Sequence, residues 1–289
     1  MNQSSTTAPS GCSSSVIAPS ERILFRSAIE IAAIENVGPP AGVVISTITA
    51  CARFATSPKI DFNALHLFVA ANAPIKMSSS VVIGSKIGGF AGQCSVRVRI
   101  SKDRVVNVKV FHNASLQCTG IDRPIAGIQA LRAIKELIDL ADIFPANTQP
   151  ALRIEDYRTV NINSTYKWSE SIRQPELFKI LTRTYGLFVM FDTTHYPGVN
   201  MKYFHNVANR VQNGRCQCPE PCRGKGDGDK RGFCRRVTVS IFRSGIVLIT
   251  GSRNYQQLSD VYNFIRKIFT KHAGAITAPT FSLKPTDAI

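Results

Sequence analysis

The most evident chemistry belongs to four cysteines, Cys216, Cys218, Cys222 and Cys234, spaced C-x-C-x3-C-x11-C inside the basic, glycine-rich stretch "NGRCQCPEPCRGKGDGDKRGFCRR". Four thiolates can close a tetrahedral zinc site. In a loop with few apolar residues, metal binding supplies the folding free energy that burial cannot. The spacing is not that of a standard zinc ribbon or finger, so reduced, unligated thiols and a disulfide stand as alternatives. His205 is a further candidate ligand. Cys12, Cys51, Cys94 and Cys118 are scattered, and no basic-plus-apolar leader opens the sequence; a reducing intracellular compartment is expected.

Other reactive groups form no catalytic pattern. His66, His112, His195, His205 and His272 show no H-E-x-x-H run and no nucleophile elbow. "GSKIGG" at Gly84 to Gly89 has the glycine spacing of a phosphate loop. Phe90 and Ala91 stand where Lys and Ser/Thr would be needed, so it reads as a flexible connection. Acidic residues are too few and dispersed for a carboxylate-pair hydrolase. An enzyme is not expected.

Charge points to a polyanionic partner. The 289 residues include 35 Lys and Arg against 19 Asp and Glu, a formal charge of +16. Ten basic and three acidic residues fall between Pro197 and Arg243, so +7 of that charge is concentrated in 47 residues. Such a field attracts nucleic acid in a salt-dependent way. No apolar run approaches the roughly 20 residues of a membrane span, and a soluble protein with no membrane partner is expected.

The elements that must position these groups come in two copies. "VKVFHNASLQCTG" (Val108 to Gly120) aligns with "VSIFRSGIVLITG" (Val239 to Gly251) at a constant offset of 131. In the same register Leu131, Ile134, Leu137 and Ile138 fall on Tyr262, Ile265, Ile268 and Phe269, the spacing of a helix that faces a core. Earlier halves match as well: "GVVISTITACARF" leads into "IDFNALHLFV", and "YRTVNINSTYKW" into "QPELFKILTRTYG", before the short strands "QCSVRVRI" and "GVNMKYF". Each unit reads as a strand, a helix, three or four antiparallel strands and a longer helix. The predicted class is α+β, with two sheets joined edge to edge, helices on one face and the other face open. We expect a disordered tail at 1–19, a helix and linker at 20–40, repeat one at 41–145 and repeat two at 146–272. A Cys-rich hairpin insert at about 209–236 and a loose tail at 273–289 complete the organisation.

Within this frame "FRSGIVLITG", its degraded copy "FHNASLQCTG" and the "YPGVNMK" run resemble the TATA-box-binding protein family, over roughly residues 43 to 270. The likeness is greatest to the TATA-box-binding-like proteins of large DNA viruses. It implies a pseudo-twofold saddle of antiparallel sheet with helices on the convex face, acting as a monomer. It also implies minor-groove binding by apolar wedges that unstack and bend the duplex. By resemblance Phe111 and Phe242 are wedges, Tyr196 partners Phe242, and Phe90 is the counterpart in repeat one, with a core aromatic as its alternative. Thr119 and Thr250 would meet base acceptors, and Ile45, Leu248 and Cys118 the groove floor. Lys202 would meet phosphate, with Arg97 or Arg99 as its repeat-one equivalent. Departures are equally visible. Val43 and either Thr159 or Asn161 stand where the family carries central Asn residues, and Lys109, Gln117 and Ser240 occupy positions of apolar contact.

The function implied is promoter recognition and transcription initiation on double-stranded DNA. A general transcription factor of the B type and RNA polymerase would be partners, in the nucleus or a cytoplasmic viral factory, with packaging in the virion an option. The alternatives are a sequence-indifferent saddle in replication or packaging, and a virion or interaction protein that retains the fold.

Overall fold

The computed structural model describes residues 38–55, 60–87, 92–144, 152–206, 211–220, 222–225 and 232–278. The expected tail at 1–19, nearly all of the helix and linker at 20–40, and Phe90 lie outside the described residues. The first half comprises β1 (Val44–Phe54), α1 (Phe62–Asn72), a short β2 (Ile75–Lys76), β3 (Val81–Ile87), β4 (Gln93–Ser101), β5 (Arg104–Phe111), β6 (Ser115–Ile121) and α2 (Pro124–Ala141). The second comprises β7 (Ile154–Lys167), α3 (Gln174–Lys179, continued by a π-helical turn at Ile180–Thr184), β8 (Phe188–Asp192), β9 (Tyr196–Asn206), β10 (Cys234–Ile241), β11 (Ile246–Ser252), α4 (Tyr255–Lys271) and α5 (Ala273–Ile276).

All eleven strands join one antiparallel sheet in the order β2-β3-β4-β5-β6-β1-β7-β11-β10-β9-β8. Outward from the central β1–β7 pair the two sides repeat the same succession, apart from the two-residue β2 at one edge, so the sheet is pseudo-twofold about that pair. The hairpin ladders keep the 131-residue offset: Asn107 faces Thr119 and Val110 faces Leu116, as Thr238 faces Thr250 and Ile241 faces Val247.

Alternation separates the faces. Val106, Val108 and Val110 of β5, and Val237, Val239 and Ile241 of β10, are wholly buried on the helix side, while the residues between them turn to the other face. Pro124 opens α2, and Asp142, in the left-handed region at φ 42°, ends it. Asn254 caps α4 by accepting from the Gln257 N–H at 2.8 Å, and Gln257 Oε1 accepts from the Arg253 N–H at 2.9 Å, a reciprocal cap. Leu131, Ile134, Leu137 and Ile138 of α2 and Ile265, Ile268 and Phe269 of α4 are buried against the sheet, each contributing about 2 kcal/mol.

One contact sets how closely α2 approaches the sheet. A Cβ on Gly127 would lie 2.3 Å from the Tyr157 hydroxyl and 3.1 Å from Ile121 Cδ1, and that hydroxyl donates to the Pro124 carbonyl at 2.7 Å. Gly127→Ala is expected to expel the hydroxyl, with loss of a buried hydrogen bond and overpacking, at about 2–4 kcal/mol. Denaturant unfolding checks this.

Two expectations are corrected. The stretch from 273 is not wholly loose: Ile276 is fully buried, its carbonyl accepts from the Arg173 N–H, and Thr277 bridges to Ile172, because α5 packs on α3. "GSKIGG" is not simply a connection, since Gly84 to Ile87 belong to β3, where a bulge at Val82/Gly84 uses the φ of 155° at Gly84.

Candidate nucleic-acid interface

Rows of paired residues cross the open face. One row runs Arg97, Asn107, Thr119, Thr49, Asn161 from the first half. Its counterpart runs Lys202, Thr238, Thr250, Asn163, Thr47 from the second. The two meet at the centre, where Thr49 faces Asn161 and Thr47 faces Asn163. Asn161 Nδ2 donates to Asn163 Oδ1 at 2.9 Å. These are short hydroxyl and amide groups, flanked by one cation at each outer end, and together they offer donors to acceptors arrayed along a groove.

The aromatic residues stand at the strand ends. Tyr196 at the start of β9 and Phe242 just after β10 have ring centroids 5.7 Å apart at 59°. Gly198 lies beneath them: a Cβ there would come within 2.8 Å of the Tyr196 ring and 3.2 Å of Phe242. Phe111 ends β5 opposite Gln93, half-buried on the same side of the strand as Asn107 and Lys109. Leu248 lies on the open face between Ser240 and Thr165.

The ladder assigns Arg97 as the counterpart of Lys202, since Arg97 faces Asn107 as Lys202 faces Thr238. Arg99, also exposed, faces Val105 and corresponds to Phe204. Lys202 Nζ donates to Thr238 Oγ1 at 3.1 Å, and burial, with Arg236 nearby, lowers its pKa.

Three groove-side expectations differ. Ile45 packs against the helix-side core, because a bulge between Ile45 and Thr47 reverses the alternation and puts Ser46 beside Thr165 instead, 3.3 Å between hydroxyls. Cys118 is buried under α2, its thiol directed at the Gly127 carbonyl. Val43 precedes β1 and is buried; Thr47 occupies the position equivalent to Asn161.

At the opposite end of β9 and β10 lies the thiolate cluster. The sulfurs of Cys216, Cys218, Cys222 and Cys234 all lie within 4.8 Å of one another. Separations of 3.4 Å for Cys216–Cys222, 3.6 Å for Cys218–Cys222 and 3.5 Å for Cys218–Cys234 approach the edge of about 3.8 Å that a zinc tetrahedron with about 2.3 Å bonds requires. Backbone N–H groups of Phe233 and Gly224 point to the Cys218 and Cys222 sulfurs at 3.2 and 3.4 Å, as an outer shell for thiolates. Gly232, at φ 89°, is enforced: a Cβ would fall 2.3 Å from Cys222 Cβ and 3.0 Å from two sulfurs. Burial and the neighbouring thiols push Cys234 up to about 12. Burial opposes the Cys216 thiolate too, but donors around Cys222 and Cys218 bring it down to about 7. The four cysteines form a structural metal site of all-thiolate type, suited to zinc. His205 takes no part, since it is buried on the helix side with Nε2 2.9 Å from Asp260 of α4.

Among the described residues the thiols outside the cluster are unsuited to attack, and burial raises Cys51. Burial pushes Cys94 up to about 11 and raises Cys118 still further.

The sequence is similar to a viral one. Over 256 residues it is 23% identical to the TATA-box-binding protein-like protein of Acanthamoeba polyphaga mimivirus, a match covering 80% of this chain and 65% of that protein. The chain therefore spans just under two thirds of that relative's length. In fold it compares with Methanococcus jannaschii TBP at a TM-score of 0.47 and 14% identity, over 80% of this chain and 98% of that one. No protein-family model matches the chain.

Sequence reasoning missed Asn107, Thr238, Thr47, Thr49 and Asn163. Period-two counting from Thr119 and Thr250 reaches the first two once the hairpins are drawn, because each faces its threonine directly. The other three depend on how β1 and β7 pair, with Thr49 facing Asn161 and Thr47 facing Asn163 across more than a hundred residues, which local periodicity does not carry.

Proposed function

We propose that this chain is an architectural, non-catalytic DNA-binding protein that sits in the minor groove, bends the duplex and marks promoters for transcription initiation. The observation that carries the reading is the pseudo-twofold open face. Its polar rows end in Arg97 and Lys202, with the Tyr196–Phe242 pair projecting at a strand end and Phe111 at the matching position. Hydroxyl and amide groups suit the degenerate acceptors of the minor groove, and half-exposed aromatics at the margins suit insertion between base steps. Similarity to the viral TATA-box-binding protein-like sequence supports the same reading. The polar Lys109, Gln117 and Ser240 favour a preference other than strict TATA. By resemblance the convex helices would take a B-type initiation factor and, through it, RNA polymerase, in a nucleus or viral factory. The two halves and the hairpin insert would act as one unit on DNA.

Selection of bound sequences from a random duplex pool tests this: a defined preferred sequence is expected, and recovery of an unbiased pool would favour the sequence-indifferent alternative. Salt dependence gives a second check. Arg97, Arg99, Lys109, Lys202 and Arg236 project from the open face, so log affinity should fall against log salt with a slope of about −4 to −5. Lys202→Ala should reduce that slope by about 1, with affinity lowered for every sequence alike.

A further inference from the structure

The insert does more than extend the hairpin. Between it and the sheet lies a cleft of about 410 Å³, lined by Phe188, Lys202 and Phe204 of β8 and β9, Arg236 of β10, and Arg223 and Lys225 of the insert. Two aromatic rings and four cations therefore meet with no acidic lining residue. Among the described residues none of the four cations forms an ion pair with a carboxylate. Lys202 and Arg236 stand near enough to depress the Lys202 pKa, after burial. Phe188 is 60% exposed, so its ring is open to a ligand entering the cleft.

The wall is built for this position. A Cβ on Gly224 would fall 2.9 Å from the Phe204 ring and 2.5 Å from Arg236 Cβ, so the loop backbone rests directly on the cleft. The Arg236 N–H donates to the Gly224 carbonyl at 2.7 Å. Cys222, one of the four thiolate ligands, also lines the cleft, so the metal site holds the wall.

Resting on the DNA-binding reading, we propose that this cleft is a subsite for one unpaired nucleotide of the bound DNA. Its base would stack on Phe188 and Phe204, and its phosphates would lie among Lys202, Arg223, Lys225 and Arg236. Three features favour a nucleotide over a stretch of duplex or an acidic peptide. A paired base has both faces stacked already and offers none to a side chain. Paired aromatics beside clustered cations are what a single strand requires. The cleft also continues the open face, since Phe188 faces Lys202 and Lys202 faces Thr238.

The test uses the full, zinc-loaded chain and duplexes recovered from the selection above. One set is continuous; the other ends in a single-stranded overhang carrying 2-aminopurine, with the duplex end moved one base pair at a time. At one position the overhang should bind about tenfold tighter than the continuous duplex, with its fluorescence quenched by stacking. Phe188→Ala should lose both the tenfold gain and the quenching while keeping its melting temperature and its affinity for continuous duplex; Phe188→Trp should retain both. Equal binding of overhang and continuous duplex at every position, or a Phe188→Ala variant that keeps the gain, would overturn the subsite. So would an acidic peptide that competes with the overhang better than a mononucleotide does, which would indicate a protein partner. Failure of the parent reading shows separately, as no binding to continuous duplex, and removes the subsite with it.

Discussion

Replacing Phe111 and Phe242 together by Ala is expected to weaken duplex binding by about 150-fold and to abolish bending, with little change in thermal stability. The two rings close matching strands at matching positions, neither fully buried, and Phe242 is braced by Tyr196 at 5.7 Å. Insertion offsets the unstacking of a base step, a few kcal/mol, with contact area that only a bent duplex offers. Loss of both wedges should therefore cost about 3 kcal/mol of binding, which is the stated factor at 1.4 kcal/mol per tenfold. Fluorescence energy transfer between duplex ends, with titration of affinity, measures both. A double variant that binds and bends like the native chain would sink wedge-based recognition. Gly198→Ala supplies a companion, because its added methyl would displace the Tyr196 and Phe242 rings while leaving both present. It should reproduce part of the loss.

Removing the metal, by chelation or by Cys234→Ser, is expected to unfold the insert while the sheet survives. Ligation at an all-thiolate zinc site is worth on the order of 10 kcal/mol, and the loop has little else to fold it, with glycine and charge prevailing from Gly214 to Gly232. The sheet has its own core beneath α2 and α4. Hydrogen exchange should show lost protection at residues 211–220, 222–225 and 232–236 and unchanged protection in β1 and β7. Trypsin should cut the insert at its Arg and Lys residues. Fewer than about one zinc per chain in reduced, purified protein would exclude a fully loaded site. Affinity for zinc should fall with falling pH already above 7, because Cys234, held up at about 12, must lose its proton to bind, and fall more steeply below about 7, where Cys216 is protonated as well.

The fold was legible where local pattern and duplication agree. The 131-residue offset holds through both hairpins because a hairpin's register is short-range and shifts by whole residues. Face assignment failed at Ile45, where a bulge inserts one residue and reverses every later inference from alternation. The choice between Arg97 and Arg99 needed the ladder itself. Counting from Phe90 and Tyr196 gives a 25-residue excess in the second repeat. The strand pairs give 26, since ten residues separate Arg97 from Asn107 and 36 separate Lys202 from Thr238. Ile276 falls within what the sequence reads as tail, because a single apolar residue in a short helix has no periodicity to show. The thiolate site was readable from cysteine content alone, yet its place beside Phe188 and Phe204 depends on three strands and a loop meeting.

A surface with full twofold symmetry would settle on a duplex equally well in either of two opposite orientations, and would carry no information about which way to proceed. The insert occurs in one half only, and it bears cations and a cleft at one end of the sheet. A difference of about 1.4 kcal/mol between the two orientations would already give a tenfold bias. On the proposed DNA-binding reading, the thiolate-bound loop would give a nearly symmetric surface a front and a back, which machinery recruited to it could read as direction.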